Sequence, residues 1–505
     1  MTTRFHTPTP HWTHLLWFLD RTRGWWFVGL AVLYAAGFNG QWLITPDSAV
    51  HVDAARVWSE GGEPAVSPEM LEKIQPGLGL VLGLVGGGSR ILSGDGWPTS
   101  LLMLGFAAAV LVLTYRLMIL HADRPTAVLM VLLLGTNKLF YSMSLFLLTE
   151  MPFTVGLVLL LWGHERRLKL KQGLPVSLAM MAAGVLVMAA FRSVAAVVVA
   201  GYLLAELTRV VGRRDQRRLG LILIGVGAAA GTMLWIGSSA VRDDVSIFEN
   251  TLRSITLDHL LTNAREFYDA ILPEAAAGLA VPPPFSWAVT AAVAGAGLAL
   301  LRVRWLWAVL VSVFALQWLV FLPDIRYALP LLPVVIYGGW TLLIAVASRL
   351  PRWPGHALFG FVTFCVVAAN LVGIGFTIAE QRSAPFYDAY RNGKYAPVRE
   401  IAEAVRRESA DADTTVVLTS RRVWPELAAW SGRPAVATVD PAAGVKPGAL
   451  VVLPLAELPR AELAEAGLTW GPALAEAHDP LTGETWALHR LKNTEPHGGN
   501  GLKNR

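Results

Sequence analysis

The sequence predicts a polytopic α-helical membrane protein with about eleven crossings, one further apolar segment that is re-entrant or peripheral, and a small C-terminal α/β domain. Three observations predict it. Of 505 residues, 54% are hydrophobic and only 16% charged, where a soluble protein carries about 25% charged. Apolar runs such as Trp25 to Ile44 and Leu219 to Ile236 approach the roughly 20 residues a helix needs to cross a bilayer. After about Glu380 the composition changes to that of a soluble domain. A soluble fold of this length would have to hide too many such runs inside one core.

Hydropathy places apolar segments at 25–44, 76–93, 99–120, 126–147, 148–163, 175–191, 193–211, 219–239, 284–302, 305–322, 327–348 and 357–378. The first is too long for a signal-peptide core and lacks a small-residue cleavage site, so it reads as a retained helix. Basic connectors hold Arg166, Arg167, Lys169 and Lys171, then Arg209, Arg213, Arg214, Arg217 and Arg218, then Arg302 with Arg304, and Arg349 with Arg352. The positive-inside rule puts them all in the cytoplasm with the N-terminus. Two long connectors, 45–75 and 240–283, are rich in acidic residues and are expected outside.

Parity tests this layout. If all twelve segments crossed, the basic connector 164–173 would fall outside. If segment 76–93 enters and returns, every basic connector falls inside and the C-terminal domain falls outside. That segment is short and rich in glycine (Gly77, Gly79, Gly83, Gly86, Gly87, Gly88), which lowers helix stability. Its expected place is therefore re-entrant or peripheral.

The chain accordingly divides into a membrane module over 1–380, an extracytoplasmic α/β domain over 381–492 and a disordered tail over 493–505. Within the domain, 397–408 reads as an amphipathic helix, and 424–431 and 459–466 as helical. Thr414–Thr419, Ala435–Val439, Leu450–Leu453 and Trp486–Leu491 read as strands of a partly parallel sheet. The single cysteine, Cys365, lies in an apolar run and reads as a small buried hydrophobe. The nineteen tryptophans fall mostly near predicted interfaces, where an aromatic belt explains them. The basic residues sit where topology wants them, so no nucleic-acid partner is expected.

Polar residues at the membrane boundary are where chemistry can sit. Pro46 ends the first transmembrane helix and leaves Asp47 at the surface, with His51 and Ala55 on the same face of any helix that starts there. Asp47 is either the N-cap of that helix or a carboxylate placed to take a proton from a hydroxyl. Glu150 lies inside the apolar run Ser142 to Leu161, beside Pro152. It either serves the helix dipole or belongs to a site, since an ionisable group at membrane depth is costly. Arg326 stands at an outer boundary, where it pairs with Asp324, snorkels, or binds phosphate through its planar fork. Arg192 and Lys73 are similar cases. No histidine or carboxylate cluster has metal spacing, and no Walker loop, dinucleotide fingerprint or serine-hydrolase elbow is present.

In order along the chain, these residues resemble the GT-C superfamily of membrane glycosyltransferases, family 39 type. That type includes protein O-mannosyltransferases and the lipid A aminoarabinose transferase. Asp47, His51, Ala55 and Arg56 match its acidic, aromatic, alanine and basic positions after the first helix, with histidine in place of tyrosine. Lys73-Ile74-Gln75-Pro76-Gly77 is similar to its proline signature, with one proline missing. Thr149-Glu150-Met151-Pro152 looks like its Thr-acid-Met-Pro segment, and Arg326-Tyr327-Ala328-Leu329-Pro330 like its late Arg-Tyr-x-x-Pro element. Trp430-Ser431-Gly432-Arg433-Pro434 resembles a segment in the outer domain of bacterial relatives.

The resemblance implies inverting transfer of a sugar from a polyprenyl-phosphate donor to a hydroxyl of a lipid, glycan or protein acceptor at the outer face of the membrane. It makes Asp47 the general base and has Glu150 position acceptor or sugar. Arg326, with Lys73 and Arg192, then neutralises the departing phosphate, and His51 and Tyr327 line the substrate site. Members differ in whether they use a divalent metal, and the residues leave that open. A transporter or flippase would instead show inverted repeats and polar residues at the midplane. A non-catalytic assembly protein would leave Asp47, Glu150 and Arg326 without convergence.

Overall fold

The computed structural model describes residues 18–38, 45–61, 64–65, 74–85, 88, 97–169, 174–211, 256–266, 274–275, 289, 291–292, 295, 306–307, 325–382, 396–409, 417–419, 427, 431, 435–437, 447–454, 468–478 and 485–493. In chain order its helices are α1 (Arg23–Gly37), α2 (Pro46–Glu60), α3 (Pro76–Val85), α4 (Trp97–Met118), α5 (Arg124–Gly135), α6 (Lys138–Met143) and α7 (Glu150–Lys169). There follow α8 (Leu174–Phe191), α9 (Ala195–Val211), α10 (Leu257–Glu266), a 3-10 helix over Ile325–Leu331, α11 (Leu332–Ala347), α12 (Arg352–Arg382) and α13 (Ala396–Glu408). The strands are β1 (Val417–Thr419), β2 (Ala435–Ala437), β3 (Leu450–Pro454), β4 (Leu468–His478) and β5 (Thr485–Asn493).

Four stretches among the described residues are long and apolar enough to cross a membrane: Trp97–Met118, Leu174–Phe191, Ile325–Ala347 and Trp353–Ala379. Large apolar side chains such as Leu101, Val112, Leu186, Phe361, Phe364 and Phe376 stand exposed on them. That is the surface a bilayer, not water, would cover. The predicted crossings 219–239, 284–302 and 305–322 lie almost entirely outside the described residues, as do the tail beyond 493 and most of the second acidic connector.

The chain divides into two compact units. The first comprises Met1–Gly40, Gln75–Leu78 and Trp97–Ala379. Within it α7 packs against α8 and α4, and the 3-10 helix packs against α7 and α6. Glycine sets how closely α7 and α8 approach. A Cβ on Gly156 would lie 2.7 Å from the Gly184 carbonyl oxygen, and one on Gly184 would lie 2.7 Å from the Leu160 nitrogen. Small residues allow such contact between membrane helices, where van der Waals packing drives association.

The predicted segment 126–147 is interrupted. α5 ends at Gly135, and Asn137 starts α6 as its N-cap, accepting a hydrogen bond from the Phe140 amide. A short polar side chain that bonds the local backbone competes with helix continuation, and here it prevails. Asn137 also donates to the Ala275 carbonyl at 2.9 Å.

The second unit comprises Gln41–Ile74, Gly79–Gly96 and Glu380–Arg505. The first acidic connector thus groups with the C-terminal residues. Its sheet has the order β2-β1-β3-β5-β4, with β1 parallel to β2 and β3, and β5 antiparallel to β3 and β4. Strand β4 has no counterpart in the sequence reading. Its segment LTWGPALAEAH holds Pro472 and three alanines and does not alternate. Its pairing with β5 slips between Trp470 and Ala473 and again between Ala473 and Ala475, as suits a proline on an edge strand. The predicted helices 424–431 and 459–466 fall outside the described residues apart from Leu427 and Ser431.

Helix α3 covers the first ten residues of the predicted non-crossing segment 76–93, the rest of which, Gly88 apart, lies outside the described residues. Its ten residues rise about 15 Å, half of a bilayer's hydrocarbon core. Two of its glycines, Gly79 and Gly83, serve packing on α2. A Cβ on Gly79 would lie 2.5 Å from the Trp58 ring, and one on Gly83 would lie 3.4 Å from the Ala55 carbonyl.

Candidate functional site

Helices α7 and α8 run antiparallel through a short connector, so the start of α7 and the end of α8 lie at the same end of the pair. Glu150 opens α7, with Pro152 in the first turn, where its missing N–H costs nothing. Arg192 immediately follows α8, where a cation suits the negative end of the helix dipole. Arg326 and Tyr327 come from the 3-10 helix, which holds Pro330 near its end, and Pro333 stands in the first turn of α11 that follows.

These four residues converge. Arg192 donates from its Nη1 to Glu150 Oε1, and Arg326 Nε lies 3.7 Å from the same oxygen. Both guanidinium carbons sit over the Tyr327 ring, at 5.0 Å and 5.2 Å from its centroid. Arg326 also donates to the Tyr327 hydroxyl at 3.4 Å. Glu150 is 2% exposed, whereas the side chains of Arg192 and Arg326 are 21% and 25% exposed. A buried carboxylate thus underlies two cations whose side chains remain partly exposed. Its Oε2 is buried with no hydrogen-bond partner among the described residues, an arrangement that calls for a donor from elsewhere. Asp324, the other partner considered for Arg326, lies outside the described residues.

Asp47 sits in the second unit, exposed, at the second position of α2. It is not the N-cap. Thr45 takes that role in a reciprocal capping box, accepting from the Ser48 amide at 3.1 Å while Ser48 Oγ accepts from the Thr45 amide. The pair Thr45 and Ser48 was the signal in the sequence. Asp47 still stands where the helix dipole favours a carboxylate. One turn on, His51 is buried at 6% exposure. Lys73 lies outside the described residues.

Sequence reading missed two features. Asp53, fully buried, receives both Nε and Nη2 of Arg56 on its Oδ1, at 3.0 Å and 2.8 Å. The motif arginine is thereby tied within α2. At the far end of α7, His164 lies 3.4 Å from Glu206, which Arg167 also reaches at 2.9 Å, while Glu165 lies 3.4 Å from His121. This buried network fastens α7 to α9 and to the turn after α4. Four ionisable residues in a row at the end of an apolar run, His164 to Arg167, were its signal. Among the described residues no group of three or more histidines, cysteines or carboxylates could hold a metal ion.

No protein-family model and no curated protein matches the chain. Solved structures do. ArnT from Cupriavidus metallidurans in the apo state superimposes with a TM-score of 0.54 at 15% identity, over 93% of this chain and 98% of that one. The same protein bound to undecaprenyl phosphate gives 0.54 at 14% identity, over 92% and 98%. The oligosaccharyltransferase AglB from Archaeoglobus fulgidus, in complex with an inhibitory peptide and a dolichol-phosphate, gives 0.54 at 12% identity, over 86% and 70%. The chain shares the fold of these solved structures.

Proposed function

We propose that the protein is a membrane glycosyltransferase that moves a sugar from a polyprenyl-phosphate donor to an acceptor hydroxyl, with inversion, at the outer face of the membrane. The observation that carries the reading is the pair of partly exposed arginines anchored on buried Glu150, in a fold whose solved neighbours include one bound to undecaprenyl phosphate. A guanidinium carries five N–H donors, so Arg192 can hold Glu150 and still offer a planar fork to a phosphate.

In this reading the acceptor oxygen bonds to the anomeric carbon as its proton passes to Asp47. The bond from that carbon to the phosphate oxygen breaks, and the lipid phosphate leaves with the electron pair. Arg192, Arg326 and Lys73 neutralise the charge that develops there, and fixed cations cost no reorganisation during the step. Glu150 Oε2 accepts from a hydroxyl of sugar or acceptor, while Tyr327 and His51 line the site. The convergence of Glu150 with Arg326 favours this over a non-catalytic assembly protein.

The test is transfer from a panel of polyprenyl-phosphate sugars by the full chain in membranes, beside Asp47→Asn. The variant is expected to insert and melt like the wild type while losing transfer by about a hundredfold or more. Full activity in Asp47→Asn would remove the proposed base.

A further inference from the structure

We infer that Val50 is a positioning residue through which the C-terminal α/β domain holds the helix of the proposed base. The inference rests on the assignment of Asp47 made above, and Val50 lies one turn of α2 beyond it.

Val50 is 3% exposed and packs in one hydrophobic core with Ile401, Ala402 and Val405 of α13 and with Leu450 and Val452 of β3. Ala65, 1% exposed, belongs to the same core, and Ile74 packs against it. The first connector is therefore fixed to the C-terminal domain at its helix, its middle and its end. Its capping box sets the start of α2, and Gly79 and Gly83 of α3 press on Ala54, Trp58 and Ala55. What remains to fix the rotation and height of Asp47 is the seat of Val50 in a core built by residues more than 300 positions later in the chain. A general base works only within hydrogen-bond reach of its proton, and a displacement of about 1 Å can cost a hundredfold in rate. The soluble domain then acts in catalysis without touching substrate.

The test compares Val50→Ala with Val452→Ala in the full chain in membranes. Both remove two methyl groups from the same core, so both should lower stability alike, by a similar shift in melting temperature. Only Val50→Ala is expected to lower kcat, by about tenfold or more, with donor KM changed less than twofold. Val50→Ile should restore most of that loss. Hydrogen exchange over 46–60 should rise in Val50→Ala and stay near wild type in Val452→Ala. Equal kcat losses in the two alanine variants, or unchanged kcat in Val50→Ala, would overturn the positioning role. If the wild type transfers no sugar, the functional reading fails separately. The exchange comparison then decides whether Val50 anchors α2, and equal exchange in the two variants overturns the anchoring itself.

Discussion

Glu150 is costly where it lies. A carboxylate at 2% exposure loses most of its hydration, and only charged hydrogen-bond donors recover that loss. Its two cations are not equivalent. Arg192 makes a direct hydrogen bond to Oε1, whereas Arg326 approaches the same atom only to 3.7 Å. Arg192→Gln should therefore destabilise the protein by about 1–3 kcal/mol and Arg326→Gln by about 1 kcal/mol or less, read from denaturation in detergent micelles. Adding Glu150→Gln to Arg192→Gln should cost less than the two single losses together, because they break one shared contact. Equal losses from the two arginine variants would contradict the geometry. At this scale the sequence was informative: ionisable residues inside apolar runs carry an energetic cost that makes Glu150, Arg192 and Arg326 stand out. Their meeting around Tyr327 was not legible, because hydrophobic pattern marks which segments are helices and not which helix ends share a corner. The helical position of Asp47 was not legible, because Thr45 and Ser48 decide it.

At the scale of elements, the α7–α8 pair is the device that holds Glu150 and Arg192 together, and its glycines are where it can be tested. Gly184→Ala would place a Cβ 2.7 Å from both the Gly156 carbonyl and the Leu160 nitrogen, so the helices must separate. Overpacking of this kind costs about 1–3 kcal/mol. The separation should also weaken the Arg192–Glu150 contact and lower transfer. Gly105→Ala, in the exposed face of α4 with nothing within 4 Å, should instead be neutral or stabilising by about 0.5–1 kcal/mol, since alanine favours helix. Parallel melting curves in detergent check the contrast, and a loss of the same size in both variants would refute it. Long, uniformly apolar helices such as α4 and α8 were plain in the sequence. The break between α5 and α6 was not, because Asn137 in an apolar run looks like any lone polar residue until its cap is seen. Strand β4 escaped for a related reason: bulges at Pro472 and its neighbours destroy the alternation by which a strand is read.

For the whole molecule, charge remains the strongest argument for orientation. Helix α7 carries Glu150 at one end and Arg166, Arg167 and Lys169 at the other, so one helix displays both the dipole preference and the positive-inside bias. If that bias sets the topology, the basic end of α7 faces the cytoplasm and the C-terminal domain faces the opposite side. The chain has a single cysteine, Cys365, exposed on α12, so a Cys365→Ser background clears the way for site-directed labelling. In sealed right-side-out vesicles, a membrane-impermeant maleimide should label Glu400→Cys, on the exposed face of α13, without permeabilisation. Lys169→Cys, exposed at the end of α7, should label only after permeabilisation. Segment 76–93 precedes both positions and sets which side Lys169 faces, whereas seven predicted crossings separate Lys169 from Glu400, so labelling of both from the same side would mean an odd number of errors among those seven. Labelling of Lys169→Cys alone from outside would invert the whole arrangement, and would move Glu150 and its arginines to a face where the proposed donor's phosphate would have to be presented from the cytoplasm.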